Sequence, residues 1–143
     1  ELLEKHPKAI IFYNFDYELI MLRNYAINND LEVGEWNGHQ HDLVPSTDEW
    51  LYLVQDNAGA EGWNCITTNA MVFFSLSYSY RMTHQASGRI NRRNTPFQDL
   101  YYYNLYTDSG IDRAILKALK EKKDFNERKF YENVTSQNLQ SLL

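Results

Sequence analysis

The stretch KAIIFYNFDYELIMLRNYAINNDLEVGEW, residues 8–36, reads as a strand, a helix and a second strand in succession. Lys8 to Phe15 follows a proline and is rich in β-branched and aromatic residues, the composition of a buried strand. Asp16 stands where a helix cap belongs. Leu19, Leu22 and Ala26 recur at helical spacing with Tyr25 beside them, and Asn28-Asn29-Asp30 supplies the stop. Leu31 to Trp36 is the second strand, so the segment is a βαβ unit, which implies a parallel sheet.

Beyond that unit, Asn37 to Glu49 is polar, carries Gly38 and Pro45, and reads as a loop. Trp50 to Gln55, Met71 to Leu76 and Asp99 to Tyr106 give three more strands, which leave Phe73 and Phe74 as core residues. Ser79 to Asn91 has helical composition, with Ser77 or Ser79 as candidate caps. Ser109 to Asp112 matches a capping box, and Ile111, Ala114, Ile115, Ala118 and Leu119 form an apolar stripe that predicts a helix from about Ile111 to Lys123. Asp124 to Leu143 reads as a weaker helix and a fraying tail, with Phe125 and Phe130 as anchors. The fold class is α/β, a mainly parallel central sheet with helices on both faces. Residues 1–108 are expected to form the core and 109–143 a helical extension of the same domain.

Composition agrees with one domain. The 143 residues are 43% apolar and 15% aromatic, enough for a single core. Apolar runs such as Ala9 to Tyr13 are too short to span a membrane, and Glu1 begins no basic-then-apolar signal segment. Cys65 stands alone, so no internal disulfide forms and a reducing cytoplasm is expected.

The net charge of −5 is unevenly spread. Residues 1–61 hold 12 acids and 3 bases, whereas residues 62–143 hold 7 acids and 11 bases. Gly62 to Gln98 contains no acid and four arginines, Arg81, Arg89, Arg92 and Arg93, a local field that attracts phosphate.

In parallel sheets ligands sit beyond the carboxyl ends of the strands. The loop after the third strand, Asp56 to Asn64 (DNAGAEGWN), is built of small residues whose amides can approach a phosphate closely. After the fourth strand comes QASGRINR, residues 85–92, with the spacing QxxGRxxR. On a continuous helix Gln85, Arg89 and Arg92 share one face. Crowded guanidinium groups call for an anion between them. The alternative is a solvated basic helix end paired with acids of the N-terminal half.

GAEGWN, residues 59–64, followed by QxxGRxxR about twenty residues later, resembles motifs V and VI of superfamily 2 helicases. The wording is most similar to the Swi/Snf-like branch of phages and prophages. Lys8 to Phe15 with its following helix is similar to the motif IV region, Tyr78-Ser79-Tyr80 to the motif Va approach, and Asn94-Thr95-Pro96 to the phage branch. The resemblance runs from about Lys8 to Phe130. It implies a three-layer RecA-like, P-loop NTPase-like domain, the second of two that close on ATP and Mg2+.

By this resemblance Arg92 is the arginine finger and Arg89 its catalytic companion. Gln85, Gly88 and Glu61 join them on the nucleotide side, while Gly59, Gly62 and Asn64 contact nucleic acid, DNA with RNA not excluded. The implied partner is an N-terminal RecA-like domain of the same parent protein. Consistently, the chain has no GxxxxGK[ST] phosphate loop, so isolated ATP hydrolysis is expected to be negligible. Asp48-Glu49 follows Val44-Pro45-Ser46-Thr47 rather than an apolar strand and is not read as a magnesium site. His39 and His41 have a metal-compatible spacing without a third ligand, so no metal site is assigned. Trp63 is either a loop anchor or a nucleic-acid contact, and His84 a packed side chain or a neighbour of the Gln85 site. Tyr101 to Tyr103 alternate faces, which places at least one in the core rather than on a base-stacking surface. A non-catalytic nucleic-acid- or protein-binding module of the same fold, and an unrelated phosphate-binding α/β domain, are the rival readings.

Overall fold

The computed structural model describes residues 2–55, 64–76, 79–106 and 109–142, the last helix without its side chains from 135 onward. At its centre lies β1 (Lys8–Tyr13), whose burial is almost complete from Ala9 to Tyr13. Alternation along β1 sends Ile10 and Phe12 to one face of the sheet and Ala9, Ile11 and Tyr13 to the other. Such a strand is apolar on both sides because both faces are covered.

β2 (Glu32–Trp36), β3 (Trp50–Gln55), β4 (Ala70–Phe73) and β5 (Tyr101–Asn104) complete a five-stranded sheet of order β2-β3-β1-β4-β5. Every pairing is parallel, with Lys8 opposite Trp50 and Ile10 opposite Met71. The βαβ reading therefore holds, although β2 lies beyond β3 rather than beside β1. The last two strands are shorter than their apolar runs. Phe74, Ser75 and Leu76 have already left β4, and Phe74 is only partly buried.

α2 (Asp16–Asn28) covers one face through Leu19, Leu22 and Ala26, assisted by Leu2 and Leu3 of the short α1 (Leu2–Lys5). α3 (Tyr80–Ser87) covers the other through Ala86, followed by Ile90. Asp16 is not the cap of α2. Glu18 reaches back instead, its Oε1 accepting from the amides of Asn14 (3.1 Å) and Phe15 (2.9 Å). Ser79 caps α3, accepting from the Met82 amide at 3.2 Å. α4 (Gly110–Lys120) is capped by Ser109, which accepts from the Asp112 amide, and stops three residues before Lys123. α5 (Glu127–Leu142) follows. Asp124, between them, folds back to accept a hydrogen bond from the Tyr80 amide at 2.9 Å, which ties the extension to the core at the start of α3.

A polar cluster fixes the α2–β2 corner. Arg23 makes a bidentate pair with the buried Glu35 (2.6 and 2.5 Å), and Asn37 donates to the Tyr13 hydroxyl. Burial raises the Tyr13 phenol above its ordinary range. No helix among the described residues is long and apolar enough to cross a membrane.

Candidate functional site

The arginines are not arrayed along a helix. α3 ends at Ser87, Gly88 is its C-cap, and the chain turns through Arg89 and Ile90. Only Gln85 of the QxxGRxxR set stands on the helix, so the shared helical face is corrected to a helix end followed by a turn. The cause is tertiary. The Arg89 carbonyl, which a continuing helix needs for its next turn, accepts instead from the Cys65 amide at 3.0 Å, and Ile90 is fully buried in the core. A second set of bonds closes the turn, Arg89 N–H to Ala86 and Arg92 N–H to Ile90 (both 3.0 Å).

Arg89 is half-buried, whereas Gln85, Arg92 and Arg93 are exposed. Among the described residues no ion pair is made by Arg92 or Arg93, so the alternative of pairing with acids of the N-terminal half is not observed there. The turn is anchored on the Cys65 backbone and the Ile90 side chain, and it holds Arg92 and Arg93 exposed to solvent.

Its place in the fold differs from the sequence expectation. Cys65 lines a small cavity of about 300 Å3 with Lys8 and Trp50, the first residues of β1 and β3. The arginine turn therefore lies toward the amino ends of the strands, at the far end of α3 from the strand carboxyl ends. Asn64, the one described member of the motif V set, is exposed beside Cys65 in the same cavity wall. Gly59, Glu61, Gly62 and Trp63, together with Ser77 and Tyr78, lie outside the described residues.

The other candidates resolve more simply. Asp48 and Glu49 are exposed beside β3, and no group of three potential metal ligands occurs among the described residues. His41 bridges to Trp36 in the loop after β2, with ring centroids 4.5 Å apart, and His84 is exposed and stacks on Tyr80. Of Tyr101, Tyr102 and Tyr103 one packs against the core as expected, Tyr103, and it does so only partly buried because β5 is an edge strand, while the other two are exposed. Tyr102 donates to the Ser87 carbonyl at 2.9 Å, and Tyr103 bonds His6 at 2.7 Å.

Sequence reasoning missed a cleft of about 1040 Å3 at the carboxyl ends of β1 and β4. On its floor Asn14 donates to Ser75 Oγ at 2.7 Å, and Ser75 donates to Glu18 Oε1 at 3.1 Å. The signal was present in Glu18, placed three residues after Phe15 at the head of a helix, where a carboxylate returns to the entering backbone.

No family model matches the chain. Among characterised proteins it is similar to the ISWI chromatin-remodeling complex ATPase ISW2 of Saccharomyces cerevisiae, 22% identical over 131 residues, covering 85% of this chain. It is also similar to the uncharacterized ATP-dependent helicase YqhH of Bacillus subtilis, 34% identical over 70 residues, covering 49% of this chain. The chain spans 12% of the length of each relative. Its fold matches a crystal structure of the C-terminal part of the Fun30 ATPase domain with a TM-score of 0.69 at 20% identity, over 87% of this chain and 42% of that one. The architecture is thus a RecA-like α/β domain, as the sequence implied.

Proposed function

We propose that the chain is the second RecA-like domain of an ATP-dependent DNA helicase or translocase of the Swi/Snf-like type, in the branch found in phages and prophages. One observation carries the reading, the turn after α3 that holds Arg92 and Arg93 exposed and unpaired among the described residues. The names of the two relatives, an ATPase and a helicase, support it.

In this reading ATP and Mg2+ are held mainly by a first RecA-like domain of the parent protein. Arg92 meets the charge that develops on the transferred phosphoryl group, and Arg89 assists from its half-buried position. Gln85 and Gly88 fix the approach of the turn, and Glu61 couples it to the nucleic-acid side. An arginine finger contributes about 10³ to 10⁵ in rate because it stabilises the transition state more than bound substrate. Gly59, Gly62 and Asn64 are assigned to the nucleic-acid backbone, a contact independent of sequence and sensitive to salt. The work is done in the cytoplasm.

The test is Arg92→Ala in the full-length parent protein. Nucleic-acid-stimulated ATP turnover should fall by about 10³ while ATP binding is retained. Unchanged turnover overturns the assignment. If the 143-residue chain instead binds single-stranded DNA through these arginines, with no effect on turnover in the parent, a non-catalytic module of the same fold replaces it.

A further inference from the structure

The small cavity of about 300 Å3 at the amino ends of the strands is lined differently from the cleft at the other end of the sheet. Lys8 and Trp50, the first residues of β1 and β3, both line it and are partners in the parallel register. Alternation places both on the sheet face that holds Ile10, Phe12, Tyr52 and Val54, so the lysine stem and the indole stand beside each other.

Trp50 is fully buried, yet its indole N–H has no hydrogen-bond partner. A buried donor left dry is costly, and a tryptophan in a core ordinarily reaches an acceptor. Its neighbour repeats the pattern with a charge. Lys8 is half-buried and makes no ion pair among the described residues. No aspartate or glutamate lines the cavity to answer either group. Two of the hydroxyls in its wall are already engaged, Thr47 donating to the Glu49 carbonyl at 3.2 Å and Thr67 bonded to Cys65 Sγ at 3.3 Å. A neutral donor and a cation with no acceptor between them call for an anion.

The remaining walls narrow the class of anion. Val44, Pro45 and Ile66 are apolar and partly buried. One ammonium, one neutral N–H and an apolar wall match a monoanion that carries a short hydrocarbon tail. A phosphate group bears nearly two charges and is met by several cations. None of Arg89, Arg92 and Arg93 lines this cavity, although the Cys65 amide in its wall holds the Arg89 carbonyl. The volume stands at the lower end of small-molecule sites, which suits a ligand of a few carbons.

We propose that this cavity is a binding site for a small organic carboxylate, whose oxygens accept from Trp50 Nε1 and the Lys8 ammonium while its tail lies against Val44, Pro45 and Ile66. The buried donor and the unpaired cation are thereby satisfied by one group. The assignment does not rest on the ATP-linked reading, since it uses neither the arginines nor Gln85. Asn64 stands in the same wall and is assigned above to the nucleic-acid backbone, so the test includes DNA.

The experiment follows the indole N–H resonances of the isotope-labelled 143-residue chain by NMR during titration with butyrate, with butanamide and inorganic phosphate as comparisons. The chain has three tryptophans, and Trp50→Phe identifies the Trp50 resonance by its loss. Butyrate should shift that resonance saturably, and butanamide, equal in size but uncharged, should bind at least about tenfold more weakly. Lys8→Met should weaken butyrate about tenfold or more. Lys5→Gln, which removes an exposed lysine outside the cavity, should leave it unchanged. Absence of a saturable shift, as when water alone serves the indole, overturns the proposal, and so does an equal response to butanamide or equal loss in Lys8→Met and Lys5→Gln. Displacement of butyrate by equimolar phosphate or by single-stranded DNA also overturns it, because the cavity then belongs to a phosphate-binding surface. None of these outcomes bears on turnover in Arg92→Ala, by which the ATP-linked reading is judged. Should Trp50→Phe not fold, unchanged butyrate binding in Lys8→Met overturns the proposal alone.

Discussion

Gly34 passes over the ring of Tyr52 on the neighbouring strand. A Cβ at that position meets Tyr52 Cδ1 at 2.9 Å and the Leu43 carbonyl at 3.1 Å, a close approach that only glycine permits. Gly34→Ala is expected to lower unfolding stability by about 1–3 kcal/mol, read as a drop in the urea midpoint with an unchanged slope. Open space surrounds Gly38, so Gly38→Ala is the matched control and should stay within about 0.5 kcal/mol of the parent. The contrast lies in what each glycine faces, since the two are four residues apart and indistinguishable by composition.

Helix ends decide where the functional groups of this fold stand. Ser109→Ala removes the cap of α4 and should cost about 1 kcal/mol, with amide exchange in residues 110–113 accelerating more than in β1. The α4 cap, the Ser79 cap and the course of β1 and β3 were all legible in the sequence, because they rest on local hydrogen bonding and on unbroken apolar runs. The end of α3 was not. Gly88 was a warning, but what stops the helix is the Cys65 amide taking the Arg89 carbonyl, a contact across 24 residues that no local pattern contains. The same limit applies to the cleft. Asn14 and Glu18 fall in the stretch that resembles motif IV, but nothing in it points to Ser75, 57 residues beyond Glu18, and only the crossing of two connections on opposite faces brings them together. Gln85, Arg89 and Arg92 were expected on one helical face, and that expectation failed for the same reason, since only Gln85 stands on α3.

At the scale of the whole molecule, the response to alkali follows from buried tyrosines. Tyr52 is fully buried and donates to the Asp42 carbonyl at 2.6 Å, and burial, with the Asp42 charge adding to it, pushes its phenol up to about 12. Burial raises the phenols of Tyr13 and Tyr102 in the same direction. Because the folded state holds these protons more tightly than the unfolded chain, stability is intact below the unfolded pKa of about 10. It falls as pH rises through the folded value of about 12 for Tyr52. Denaturation midpoints should therefore be level with respect to these groups below pH ~10 and decline above it, and Tyr52→Phe should decline less steeply. A midpoint that rises between pH ~10 and ~12 contradicts this assignment.

The strand order also sets a schedule for assembly. β1 is the first of the five strands in chain order and has no sheet neighbour beside it in sequence. Its first partner begins at Trp50, and Met71 on its other side comes 61 residues after Ile10. The centre of the sheet thus closes only once β4 is present, with β5 added at the edge after it, through contacts of long sequence separation that slow folding. Until Ala70–Phe73 has been synthesised, β1 keeps an open edge, and this is the interval in which a chaperone has something to hold.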